Sequence, residues 1–89
     1  MTKEQEMIRF ILQEANNAYN DDYCIWHKET CQQTEDPVAC EFMLQKLVDK
    51  GCLEKKGRAR YEITTLGQNV LAELISIEAA EVLADLLKA

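Results

Sequence analysis

The sequence predicts a mainly α-helical fold with a small β-hairpin, which belongs to the α+β class. Apolar residues recur at three- and four-residue spacing over most of the 89 residues, the pattern of helices that bury one face. Residues 52–54 and 60–63 are instead short strand-like segments, and Gly57 lies in the turn between them. The length is that of one domain, so we expect residues 1–89 to fold as a single unit.

The first two helices are predicted from their capping residues. A capping box at residues 2–5 begins a helix whose apolar periodicity continues to about Ala18. Asp21 or Asp22 is then a candidate N-cap for a second, shorter helix over residues 23–31. We therefore expect two helices separated by a short polar turn.

The third helix has the clearest boundaries. Asp36 is a good N-cap, and Pro37 loses nothing at the first helical position, where its missing N–H would have no partner. The helix is predicted to continue to Lys50 and to end at Gly51, which suits a left-handed residue after a helix. Its expected core face consists of Cys40, Met43, Leu44, Leu47 and Val48.

The fourth helix is predicted from a capping box that starts at Thr65, and it extends over about residues 65–88. Ser76 is a possible cap for a separate final helix, so a break at that position stays open. The helix is apolar on two faces, which favours a homodimer in which it is the dimerisation element. The alternative is that the first helix covers both faces. The residues expected in the dimer interface are Leu71, Ile75, Val82 and Leu86.

The charge distribution is uneven. The net charge is −6, whereas residues 46–60 carry six cations and two acids, a local charge of +4 that leaves −10 on the other residues. Such an acidic chain is unsuited to coating nucleic acid through bulk charge, but one basic segment can orient a protein on a polyanion.

The same region carries a resemblance to a known family. The residues concerned are Leu47, Gly51, Leu53, the basic turn at 55–60, Tyr61, Ile63, Thr64 and Gly67. Over about residues 37–74 the chain resembles winged helix-turn-helix transcriptional regulators of the MarR and PadR kind. The resemblance implies a winged helix-turn-helix fold with a long C-terminal helix, and duplex DNA as the partner of helix 3 and of the basic wing. The residues expected to contact DNA are Gln45, Lys46, Lys50, Lys55, Lys56, Arg58 and Arg60.

Two apolar residues favour an alternative function. Val38 and Phe42 lie opposite the expected core face of the third helix, where a DNA-reading helix would carry polar side chains. Exposed apolar residues more often mark a protein contact. The alternative is therefore a protein-interaction module on the same fold, which uses Val38, Phe42 and the acidic surface.

The cysteines raise the question of a metal site. Cys24, His27, Cys31 and Cys40 are candidate zinc ligands by residue type. In a continuous helix, however, Cys24 and Cys31 lie about 10.5 Å apart along the axis, too far to share one ion. A site made of Cys24 and His27 with Cys31 or Cys40 stays possible only if this segment is not helical. We expect buried, reduced thiols and no cofactor, while a redox-sensing role for Cys31 or Cys52 stays open.

The sequence gives no sign of catalysis or of membrane insertion. There is no glycine-rich phosphate loop, no paired carboxylates stand out, and His27 has no acid or serine at a catalytic spacing. No apolar run approaches the roughly 18 residues of a membrane span, and the polar first residues do not resemble a signal peptide. We expect a cytoplasmic protein that is not an enzyme.

Overall fold

A computed structural model describes residues 1–88 and contains four helices and three short strands. The helices are α1 (Lys3–Asn20), α2 (His27–Gln32), α3 (Pro37–Asp49) and α4 (Thr65–Lys88), and the strands are β1 (Ile25–Trp26), β2 (Leu53–Lys55) and β3 (Arg60–Ile63). The described chain is mostly helical with a small antiparallel sheet, so the predicted α+β class is confirmed.

Two of the predicted helix starts are confirmed atom by atom. The Gln5 backbone N–H donates to Thr2 Oγ1 at 3.1 Å, and the Thr2 N–H donates to Gln5 Oε1 at 3.0 Å, which is the reciprocal capping box. Asp36 Oδ1 accepts the Ala39 N–H at 3.1 Å at the start of α3. Gly51, just beyond the end of α3, has φ +81°, as the left-handed residue after a helix requires.

The prediction for the second helix was wrong over residues 23–26. Ile25 and Trp26 form β1 and pair with β3, with Ile25 opposite Tyr61 and Trp26 opposite Arg60. Helix α2 begins only at His27, and its N-cap makes no side-chain hydrogen bond, so neither predicted aspartate caps it. A β-branched and an aromatic residue suit an edge strand, and the pairing with β3 outweighs a weak helical pattern.

The sheet packs on α1 through one face. Its order is β1-β3-β2, and Leu53 pairs with Ile63. Tyr61 and Ile63 alternate with exposed or half-buried neighbours, so both point into the core. The buried cluster consists of Ile11, Leu12, Ala15, Ile25, Cys31, Cys40, Met43, Leu44, Leu47, Cys52, Leu53, Tyr61, Ile63 and Leu71.

Helix α4 is continuous, without a break at Ser76. Its cap is Thr64 rather than the predicted Thr65: the Gly67 N–H donates to Thr64 Oγ1 at 3.1 Å, and that hydroxyl donates to the Gly51 carbonyl at 2.5 Å. The contact with Gly51 explains the difference, because it ties the start of α4 to the end of α3. None of the helices within residues 1–88 combines the length and apolarity needed to cross a bilayer.

Candidate nucleic-acid interface

The turn between β2 and β3 is held from both sides. The Lys56 N–H donates to the Arg60 carbonyl at 2.9 Å, which closes the hairpin, and the His27 N–H donates to the Ala59 carbonyl at 2.8 Å. Gly57 has φ +115°, a conformation that suits glycine. Ala59 also has a positive φ, +140°, which is unfavourable for a residue with a Cβ. The bond from His27 supports that conformation and ties the turn to the start of α2.

The turn carries four exposed cations, Lys55, Lys56, Arg58 and Arg60, which we call the basic hairpin. Lys56 lies 3.4 Å from the Glu54 carboxylate, and both side chains are largely exposed, so this pair contributes little stability. Within the part of the chain that the structure describes, no carboxylate lies within 4.0 Å of the Lys55, Arg58 or Arg60 side chain. Three of the four charges are therefore available to an anion.

Trp26 is a site residue that the sequence reasoning missed. The Arg60 guanidinium carbon lies 5.5 Å from the centre of the Trp26 ring, in a cation–π contact across the β1–β3 pair. Trp26 remains 50% exposed, so the indole covers one side of Arg60 and leaves the other accessible. The sequence feature that indicates this strand is the pair Ile25-Trp26, a β-branched and an aromatic residue shortly after the Asp21-Asp22 turn. The prediction of a helix over residues 23–31 obscured it.

The predicted contact residues of α3 are engaged within the protein. Gln45 Nε2 donates to Asp49 Oδ1 at 2.9 Å, and Lys46 Nζ lies 3.1 Å from Glu4 Oε1. Both partners of the Lys46 pair are more than half exposed, so an incoming phosphate could replace Glu4 at little cost. Lys50, just after α3, is exposed.

A groove of about 750 Å³ lies between α1 and α3. Phe42 lines it and is 74% exposed in the single chain, whereas Val38 is 62% exposed but lies outside it. The other residues that line the groove are Lys3, Glu4, Glu6, Met7, Phe10, Gln33, Thr34, Glu35, Asp36, Ala39, Met43 and Lys46.

Two of the buried thiols, those of Cys40 and Cys52, are protected rather than activated. Burial, followed by a hydrogen bond with the neighbouring Cys31 thiol, raises the pKa of Cys40 to about 12, although a hydrogen bond with Thr34 lowers it in part. Burial also raises the pKa of Cys52. Protonated buried thiols are poor nucleophiles and poor metal ligands.

The candidate metal ligands do not gather into one site. In residues 1–88, no group of three or more His, Cys, Asp or Glu side chains is placed to hold a metal ion. Cys31 and Cys40 are buried neighbours, Cys24 is half-buried, and His27 Nε2 instead faces Glu41 Oε1 at 3.8 Å.

The predicted dimer residues divide into two sets. Leu71 is 4% exposed and belongs to the core, so its assignment to a dimer interface was wrong. Leu74, on the other apolar face of the helix, is buried as well, so the face of α4 that packs on the core lies between the two apolar faces seen in the sequence. Ile75, Val82 and Leu86 remain exposed.

Comparison with known proteins gives no match to a family model, to a characterised protein or to a solved structure. The seven predicted DNA-contacting residues fall into two groups along the chain, one on the basic hairpin and one on and just after α3.

Proposed function

We propose that this chain is a winged helix-turn-helix protein that binds duplex DNA, with the basic hairpin as its wing, and that it acts as a transcriptional regulator. The element order supports the fold: α2 and α3 are separated by residues 33–36, and a hairpin and a long helix follow. One observation carries the function. Lys55, Arg58 and Arg60 are exposed and without an ion-pair partner in residues 1–88, on a chain whose net charge is −6.

The basic hairpin suits the phosphate backbone better than the base edges. Lysine and arginine that neutralise phosphates release counterions, so four such contacts would give a slope of log affinity against log salt near −3.6. The contact with Trp26 holds Arg60 in place before DNA arrives, which reduces the entropy lost on binding. The acidic remainder of the chain is repelled by the duplex and orients the hairpin toward it.

Helix α3 would add little sequence discrimination. Gln45 must leave Asp49, and Lys46 must leave Glu4, before either side chain reaches a base. Phosphate contacts position a protein, whereas base contacts specify a sequence. We therefore expect binding that is strongly salt-dependent and only weakly selective.

A matched pair of variants tests this proposal. Lys55→Ala/Arg58→Ala removes two charges from the hairpin, and Lys3→Ala/Lys88→Ala removes two exposed charges elsewhere, so both variants have the same net charge. Fluorescence anisotropy with a labelled duplex across a salt series should show that the hairpin variant loses about 1.8 units of slope, while the control retains the slope. An equal loss of slope in both variants, or no salt-dependent binding by the wild-type protein, would contradict the proposal.

A second copy of the chain is the proposed partner of α4. Five exposed apolar residues, Ile75, Val82, Leu83, Leu86 and Leu87, together expose the equivalent of about three whole side chains. At about 1.5–3 kcal/mol per side chain, burial in two copies contributes about 9–18 kcal/mol. The association cost is about 4–15 kcal/mol, so burial of this surface is of the size needed to offset the cost of forming a dimer. Two hairpins related by a two-fold axis would then contact half-sites one turn of DNA apart.

A further inference from the structure

The groove between α1 and α3 has an apolar floor that belongs to neither the basic hairpin nor the dimer surface. Met7, Phe10, Phe42 and Met43 contribute two aromatic rings and two thioethers to it. Phe42 is the largest exposed apolar side chain there, at 74%. Exposure of that size on a small domain is typical of a binding surface, and methionine adapts its shape to a partner.

The groove is long enough to hold a short helix. Its walls come from residues 3–10 of α1 and residues 39–46 of α3, and each wall spans about two helical turns, or about 10.5 Å. An amphipathic helix of two or three turns can place side chains at i, i+3 or i+4 and i+7 along such a trough. Residues 33–36 line it as well.

The rim of the groove is acidic. Four carboxylates line it, from Glu4, Glu6, Glu35 and Asp36, against two lysines. Lys46 is already neutralised by Glu4 at 3.1 Å, so the rim has an excess of negative charge. A basic segment would gain from this rim, whereas an acidic one would be repelled.

We infer that the groove binds an amphipathic helix of a protein partner, with apolar residues on one face and lysine or arginine on its flanks. Charge argues against the α4 end of a second copy as the occupant, because Glu81 and Asp85 outnumber Lys88 there. This inference is separable from DNA binding by the basic hairpin, which lies outside the groove; Lys46 alone both lines the groove and is a predicted DNA contact. It gives the acidic chain a second class of partner, a protein that the groove would recruit while the basic hairpin is bound to DNA.

The test uses three synthetic peptides that share one composition of apolar residues. The first is a helix with leucines at i, i+3, i+4 and i+7 and lysines on its flanks, the second carries glutamates in place of the lysines, and the third scatters the leucines around the helix. Fluorescence anisotropy should show that the first binds at least about tenfold more tightly than either of the others.

A matched pair of variants locates the binding. Phe42→Gln removes an exposed ring inside the groove, whereas Val38→Gln removes an exposed side chain outside it on the same helix, and neither change disturbs the core. Phe42→Gln should weaken the basic peptide about tenfold, and Val38→Gln should change it less than about twofold. Lys55→Ala/Arg58→Ala should retain full peptide affinity.

Four outcomes would overturn the inference. The first is that the basic peptide binds no more tightly than the scattered peptide, and the second is that both glutamine variants behave alike. The third is that Phe42→Gln converts a wild-type dimer into a monomer in light scattering, which would make the groove a self-interface. Tighter binding of the glutamate peptide would refute the assigned charge of the partner. Because none of these results involves DNA, each leaves the hairpin proposal standing.

Discussion

Gly67→Ala should destabilise the protein, although alanine normally stabilises a helix. A Cβ at Gly67 would lie 2.1 Å from the Cys52 carbonyl oxygen and 2.8 Å from Ile63 Cγ1. The nearer atom belongs to the backbone, so no side-chain rotation relieves the clash. Overpacking of this kind costs at least about 1–3 kcal/mol, and the backbone contact puts this site at or above the upper end. The higher helix propensity of alanine offsets at most about 1 kcal/mol of this cost.

The net loss should be about 2–3 kcal/mol, which lowers Tm by about 10–20 °C in a domain of this size. Thermal unfolding followed by circular dichroism at fixed protein concentration measures it. Asn69→Ala is the matched control, because Asn69 is exposed two residues further along the same helix. That variant should keep or slightly raise Tm. If Gly67→Ala matches the control, α4 does not approach the start of β2 as closely as described.

Three other results are expected. Thr64→Val should lower the free energy of unfolding in urea by about 1–2 kcal/mol, because the cap of α4 is lost. Thr65→Val should change it by less than about 0.5 kcal/mol, and the reverse order would contradict the cap assignment. Burial raises the pKa of the Cys40 thiol from its ordinary value of 9.0 to about 12 in the folded protein. The contribution of the neutral thiol to the stability of the folded protein is therefore complete below pH 9 and declines as the pH rises toward 12. Cys40→Ala should therefore lose stability less steeply than the wild-type protein between pH 9 and 11, by up to about 1.4 kcal/mol per pH unit, and equal slopes would refute the burial effect. Leu86→Asp should give a monomer in light scattering at a concentration where the wild-type protein is dimeric, and an unchanged mass would exclude this face from the interface.

The elements set by local chemistry were predictable. The capping box at Thr2 and the cap at Asp36 involve atoms within a few residues, and sequence spacing is sufficient to recognise them. The choice between Thr64 and Thr65 as the N-cap of α4 was not predictable, since both residues precede a helical pattern. A contact with Gly51, thirteen residues away, decides it.

Features that depend on distant parts of the chain were missed. Strand β1 exists because Ile25 and Trp26 pair with β3, some 35 residues later, and nothing local to Ile25-Trp26 indicates that partner. The burial of Leu71 likewise depends on packing against distant elements of the core. A helical wheel shows that the helix has two apolar faces, but it cannot show that the core takes Leu71 from one of them and Leu74 from the other.

In the candidate site, too, features set by nearby residues were predictable and contacts between distant elements were not. The basic hairpin was visible because its cations are adjacent in sequence, and the structure leaves them exposed. The bond from Gln45 to Asp49 spans one helical turn and could have been foreseen. The pair between Lys46 and Glu4 joins two helices and could not.

The most direct test of the central claim is a map of the DNA contact by nuclear magnetic resonance. A short mixed-sequence duplex would be titrated into ¹⁵N-labelled protein at low salt. We predict shifts at the backbone amides of residues 55–60 and at the indole N–H of Trp26, the one tryptophan in the chain, and their reversal by added salt. An unshifted hairpin, or shifts confined to the groove between α1 and α3, would contradict it.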